Sequence, residues 1–140
     1  MPGATPSELV LALGKDSNAY LLDRNNLGGI TSPVAQASVS GINKGTSAVT
    51  YHTRELTYVA FHNDAGAIRA YQITATTPPA IIFAWSQIQN GRGSPWVTTI
   101  DNTSNSIVWG PELALEATSV CMATMATLAP SSMRVAEITN

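Results

Sequence analysis

Three stretches of this chain repeat one another at a fixed interval. Residues 9–23 (LVLALGKDSNAYLLD), 58–73 (YVAFHNDAGAIRAYQI) and 107–109 (IVW) begin 49 positions apart, twice in succession. A period of that size belongs to solenoids, propellers and other arrays, in which one unit cannot bury its apolar face alone and stacks on the next. The middle stretch is the most legible. An apolar-rich run to Phe61 meets the polar segment His62-Asn63-Asp64-Ala65-Gly66, and a second run goes from Ala67 to Ile73. Asn, Asp and Gly accept left-handed or Asx-turn geometry, so the stretch predicts a hairpin with Asn63, Asp64 and Gly66 in an exposed turn.

A second interval closes the unit. Residues 47–51 (SAVTY) and 94–98 (SPWVT) are 47 apart, as are Val34 and Ile81. One unit is therefore four strands, at 47–51, 57–61, 68–73 and 81–85. A four-stranded unit of roughly 40–50 residues has the size of a β-propeller blade. The first unit lacks its opening strand and has runs at 9–13, 19–23 and 34–39, whereas the third supplies 94–100 and 107–109. Polar turn clusters separate these runs, and Pro78-Pro79 breaks the chain after the hairpin, because proline cannot donate to a ladder. The expected fold is all-β, a partial propeller of about two four-stranded blades over residues 1–110. Val59, Phe61, Ile68 and Ala70 are expected to face neighbouring sheets.

Composition agrees and narrows the partners. Charged residues make up 11% of the chain and the net charge is −2, which gives no electrostatic reason to expect nucleic acid or an anionic membrane. Ser, Thr, Val and Ile are plentiful while Lys and Glu are scarce, which favours strands over surface helices. The single cysteine, Cys121, allows no intrachain disulfide and no zinc cluster. No apolar run reaches the length of a membrane helix, and the N-terminal MPGATPSELVLAL lacks the basic region of a signal peptide.

Residues 19–23 (AYLLD), followed by Leu27-Gly28-Gly29, and residues 90–109 (NGRGSPWVTTIDNTSNSIVW) resemble the repeat of pyrroloquinoline-quinone-type β-propeller proteins. The first is similar to that family's LYALD…TG repeat ending, the second to the opening of a blade in its bacterial members. The resemblance covers about residues 8–109 and implies fold more sharply than function. The family's repeats tend to end with a Trp that packs between blades, and Ile30 stands nearest that place here. Two functions follow from the resemblance. One is a larger non-enzymatic binding or scaffold protein, of which this chain is a fragment with no activity of its own, its protein or small-molecule ligand held on strand-connecting loops. The alternative is that this chain is a piece of a quinoprotein dehydrogenase whose catalytic residues lie outside it, the parent propeller holding a quinone and Ca²⁺ at its central channel. The dehydrogenase needs an adjacent Cys pair, a base Asp and calcium-ligand carboxylates, and no position here matches that set. The resemblance also implies an exported or periplasmic full-length parent.

After Gly110 the pattern stops. Residues 111–140 are rich in Ala, Thr and Met and contain no Asp, Gly or Tyr, where a third blade calls for a hairpin. Read in a shifted frame, with permissive codon choices, the tail spells a Gly-, Asp- and Tyr-rich continuation of the blade, which points to a frameshift origin. On that reading residues 111–140 lie outside the propeller, as a helix over 112–128 docked by Leu113, Leu115, Val120 and Leu128, or without order. A centrally paired strand at 120–127 assigns the tail to the fold instead. The isolated chain is expected to self-associate through open blade edges and uncovered faces.

The search for chemistry is mostly negative. His52 and His62 have no carboxylate at ligand spacing, and surface or interblade hydrogen bonding is their expected role. Residues 101–105 (DNTSN) carry oxygen donors but lack the Gly and terminal Glu of a calcium loop, so an Asx turn is expected. Residues 90–93 (NGRG) offer Arg92 and a Gly-rich loop to an anion, but no helix start follows. Ser7, Ser47 and Ser94 show no His–Asp partners, and Trp85, Trp96 and Trp109 read as core or interblade aromatics. The expectation is that the chain carries no catalytic, cofactor-binding or metal-ligating residue.

Overall fold

The computed structural model describes residues 1, 3–28, 30–39, 47–63, 66–89, 93–102, 105–112, 120–125 and 134–137, and the regular elements among them are all β-strands. Strands β1 (Leu9–Leu13), β2 (Asn18–Asp23) and β3 (Ala35–Ser38) form the first sheet. The second holds β4 (Val49–His52), β5 (Thr57–Asn63), β6 (Ala67–Ile73) and β7 (Ile81–Ile88). The third holds β8 (Trp96–Thr98), β9 (Ile107–Glu112), β10 (Val120–Met125) and β11 (Arg134–Glu137). Each sheet is an antiparallel meander in which sequence neighbours pair.

The sequence interval reappears as strand register. Val49 pairs with Ala60 and Tyr51 with Tyr58, and their counterparts Trp96 with Trp109 and Thr98 with Ile107 pair in the same way. The first hairpin matches the second in its closing contact. After β3, Val39 N donates to Ser17 O at 2.9 Å, and after β7, Gln89 N donates to Gly66 O at 2.7 Å. Ser17 and Gly66 occupy the same place in their turns, and both are left-handed, with φ of 66° and 72°. Only glycine takes that conformation freely. Ser17→Gly is therefore expected to stabilise the protein by about 0.5–1 kcal/mol and Gly66→Ala to destabilise it by about 1 kcal/mol. Denaturant midpoints at equal m-value test both, and a destabilised Ser17→Gly protein would rule out equivalent turns.

Alternation along β5 and β6, the central strands of the second sheet, buries both of its faces there. Val59, Phe61, Tyr71 and Ile73 point one way and pack with Ala19, Leu21 and Val39 of the first sheet. Tyr51, Ala60, Ile68 and Ala70 point the other way and pack with Val108 and Val97 of the third. The faces expected for Val59, Phe61, Ile68 and Ala70 are thus the ones observed. β3 lies against β7, and β4 against β8, so successive sheets meet through equivalent strands. Ser47 N also donates to Ser94 Oγ at 2.7 Å, linking the lead-ins to β4 and β8.

Small residues make room for large ones on the second face. Ala60 and Ala70 are fully buried, and Trp85 extends over them until its Nε1 donates to Tyr51 Oη at 2.9 Å. A bulge makes that possible. Ala70 pairs with Trp85 but the next residue, Tyr71, pairs with Phe83, so Ala84 is left over and Trp85 turns to the face opposite Phe83. Burial pushes the Tyr51 hydroxyl pKa well above its ordinary value, although the Trp85 hydrogen bond works the other way.

Several expectations need correction. The hairpin turn is shorter than residues 62–66: His62 and Asn63 belong to β5 and are buried, while Asp64 lies outside the described residues. Asn63 is buried because its Oδ1 accepts from Ala67 N at 3.0 Å, closing the turn from within the strand end. The helix expected over 112–128 is absent at 120–125, where β10 pairs with both β9 and β11. Its register follows the second sheet, since Ala123 opposes Trp109 as Ala70 opposes Ala60. Backbone pairing on the free side of β9 has overridden helix propensity. The described part of the tail thus belongs to the third sheet. Leu113, Leu115 and Leu128 lie outside the described residues. β8 is confined to Trp96–Thr98, shorter than the run read at 94–100.

Candidate functional site

The antiparallel order sets the place where loops gather. β4 and β6 begin where β5 and β7 end, so the lead-in to β4, the β5–β6 turn and the end of β7 share one end of the second sheet. The lead-in to β8 joins them through the Ser47–Ser94 hydrogen bond. A group of buried polar side chains lies just beneath this end. His62 Nε2 is 3.0 Å from the Gln89 carbonyl, which only accepts, so that nitrogen carries the proton. The Gln89 side chain is buried between the second and third sheets. Its Oε1 and Nε2 have no hydrogen-bond partner among the described residues. Such a group costs about 1–3 kcal/mol. Gly110 faces it: a Cβ there would stand 3.1 Å from Gln89 Cδ and collide with Ile68 Cδ1. Glycine at position 110 is thus what lets the third sheet close onto this end.

The equivalent end of the first sheet carries a different polar cluster. Asp16 accepts from Asn18 N at 3.2 Å, from Asn18 Nδ2 at 3.0 Å and from the Tyr20 hydroxyl. The Tyr20 hydrogen bond, ahead of the Asn18 contacts, holds the Asp16 carboxyl below its usual range. The same bond raises Tyr20. This cluster is exposed and orders the β1–β2 turn.

The residues singled out in the sequence are scattered. His52 lies in β4, where its Nδ1 is 3.1 Å from Thr57 Oγ1, while His62 is buried at the far end of β5. Sequence reading placed His62 at the surface or between blades, and missed Gln89. An apolar strand running into NGRG signals only a turn. In the 101–105 turn, Asn102 N donates to Thr99 Oγ1 at 3.0 Å, and Asn102 and Asn105 are left-handed. Thr103, Ser104 and residues 90–92 lie outside the described residues. Ser94 Oγ is used by Ser47 N, and Cys121 lies in β10.

Trp85 is the packed aromatic that was expected. Trp96, 42% exposed, is not: it stacks on Trp109 at 6.5 Å on the outer face of the third sheet, where Trp109 Nε1 donates to Thr98 Oγ1 at 2.8 Å. Among the described residues no group of three or more His, Cys, Asp or Glu is placed to hold a metal ion, and no helix is long and apolar enough to cross a membrane. His62, Asn63, Ser94 and Thr99 each hydrogen-bond a backbone group at these turns and lead-ins. Compared with family models, curated proteins and solved structures, the chain matches none.

Proposed function

We propose that this chain is a propeller-type scaffold module, a piece of a larger non-enzymatic binding protein of the pyrroloquinoline-quinone-type repeat class. The supporting observation is the repeated register: Val49–Ala60 and Trp96–Trp109 are equivalent pairs in successive four-stranded meanders whose equivalent strands lie together. Blades of a propeller stack in this way, each unable to bury its faces alone. The polar side chains at the loop-bearing end, His62, Asn63 and Gln89, are buried, and those of His62 and Asn63 hydrogen-bond to the chain's own backbone. A ligand of the scaffold would meet the loops above them.

The dehydrogenase reading makes a separable claim, because its quinone has its own absorbance. Titrating the purified chain with pyrroloquinoline quinone and Ca²⁺ is expected to leave the quinone spectrum unchanged. Stoichiometric, Ca²⁺-dependent retention of the quinone through gel filtration would overturn the scaffold reading in favour of the enzyme.

A further inference from the structure

The two internal junctions define which face fits which. In each, the forward face of one sheet meets the backward face of the next. Leu11, Ala19 and Leu21 of the first sheet meet Val59, Phe61 and Tyr71, and Tyr51 and Ala60 of the second meet Val97 and Val108. Two faces of the described sheets remain without such a partner. On the first sheet, Val10, Ala12, Tyr20 and Leu22 alternate with the buried set and are only half-buried. Val10 and Ala12 are the repeat equivalents of Val59 and Phe61, so this is a backward face with no sheet behind it. On the third sheet, Trp96, Thr98, Ile107 and Trp109 alternate with Val97 and Val108. They are the equivalents of Val49, Tyr51, Tyr58 and Ala60, so this is a forward face with no sheet ahead.

We infer that in the isolated chain, where no further sheet of a larger protein covers them, these two faces pair between copies, the forward face of the third sheet in one copy seating on the backward face of the first sheet in its partner, and that two copies close into a ring. This rests on the propeller reading. The open faces are the two halves of the junction that the molecule already makes twice, which makes a second copy the fitting occupant. The contact is heterologous, and a heterologous contact yields either a closed ring or an open filament, according to whether the rotation closes. Two copies bring six sheets together, three from each, within the roughly 4–8 that closed propellers take. The exposed Trp96–Trp109 stack supplies a rigid aromatic anchor of the kind that dominates protein interfaces.

Sedimentation of the full chain at micromolar concentration, with far-ultraviolet circular dichroism on every sample, tests this. The wild type is expected to be a dimer whose tryptophan emission shifts to the red on dilution. Trp96→Asp on the forward face and Leu22→Asp on the backward face are each expected to raise the dissociation constant roughly 30-fold or more. Should Leu22→Asp lose its β signal, Gln36→Lys, at an exposed position on the same face, takes its place. A monomeric wild type, an open-ended polymer series, or dissociation by forward-face variants alone would each overturn the closed head-to-tail dimer. A monomer with intact β signal and no quinone retention leaves the scaffold reading standing. Quinone retention by an intact dimer removes the scaffold reading alone.

Discussion

Replacing Phe61 with alanine is expected to cost about 3–5 kcal/mol, the range for emptying a buried aromatic site. Phe61 is 1% exposed, and its ring stacks on Tyr71 at 5.5 Å with the planes 6° apart. It also stands in the cluster that joins the first sheet to the second, with Leu21 and Val39 across the junction. Neighbours on two sheets cannot both collapse into the space left, so the cavity term adds to the lost transfer energy. A domain of this size has about 5–15 kcal/mol in total, so one substitution removes a large share and loosens the first sheet. Phe83→Ala is the control. Phe83 meets the same Tyr71 edge-on at 5.8 Å but is 55% exposed, and its loss should cost under about 1 kcal/mol. Urea midpoints for the two variants give the comparison. Equal, small shifts would mean that the first and second sheets are not packed through Phe61.

The strand pattern was legible because two sequence intervals carried both strand position and facing. Val10, Val59 and Val108 alternate out of step with Leu11, Ala60 and Trp109 in all three units. That is why the apolar runs predicted both the hairpins and the buried faces of Val59, Phe61, Ile68 and Ala70. Three features were not legible, each for a physical reason. Asn63 carries a turn former's side chain, but the same Oδ1 that favours a turn also closes one from inside the strand, by accepting from Ala67 N. Trp96 and Trp85 look alike as aromatic strand residues. Facing depends on register, and the bulge at Ala84 sends Trp85 inward to Tyr51 while plain alternation leaves Trp96 outside. The burial of Gln89 depends on Gly110 bringing the third sheet close, a contact between residues far apart in the chain.

Removing residues 113–140 is expected to undo the third sheet and uncover one face of the second. Helix propensity alone predicts the opposite: a dispensable tail, with the remaining β signal intact. The pairing decides between them. β9 lies between β8 and β10, and β10 is held on both sides, with Cys121 opposite Pro111, Met122 opposite Gly110 and Ala123 opposite Ala136. Without β10 and β11 only the β8–β9 hairpin remains, and an isolated two-stranded hairpin is marginal in water. β8 contributes just three residues to it. Val97 and Val108 would then no longer be held over Tyr51, Ala60, Ile68 and Ala70. Re-exposing that face costs several kcal/mol, at roughly 1.5–3 kcal/mol for each large side chain returned to water. The truncated protein should therefore bind a hydrophobic dye, melt at lower temperature, and keep the Phe61–Tyr71 junction as its last cooperative unit. If it melts like the full chain and binds no more dye, β10 and β11 contribute nothing, and residues 111–140 are an addition to the fold from a shifted reading frame. The nucleotide sequence around codon 110 then becomes the place to look for the native continuation.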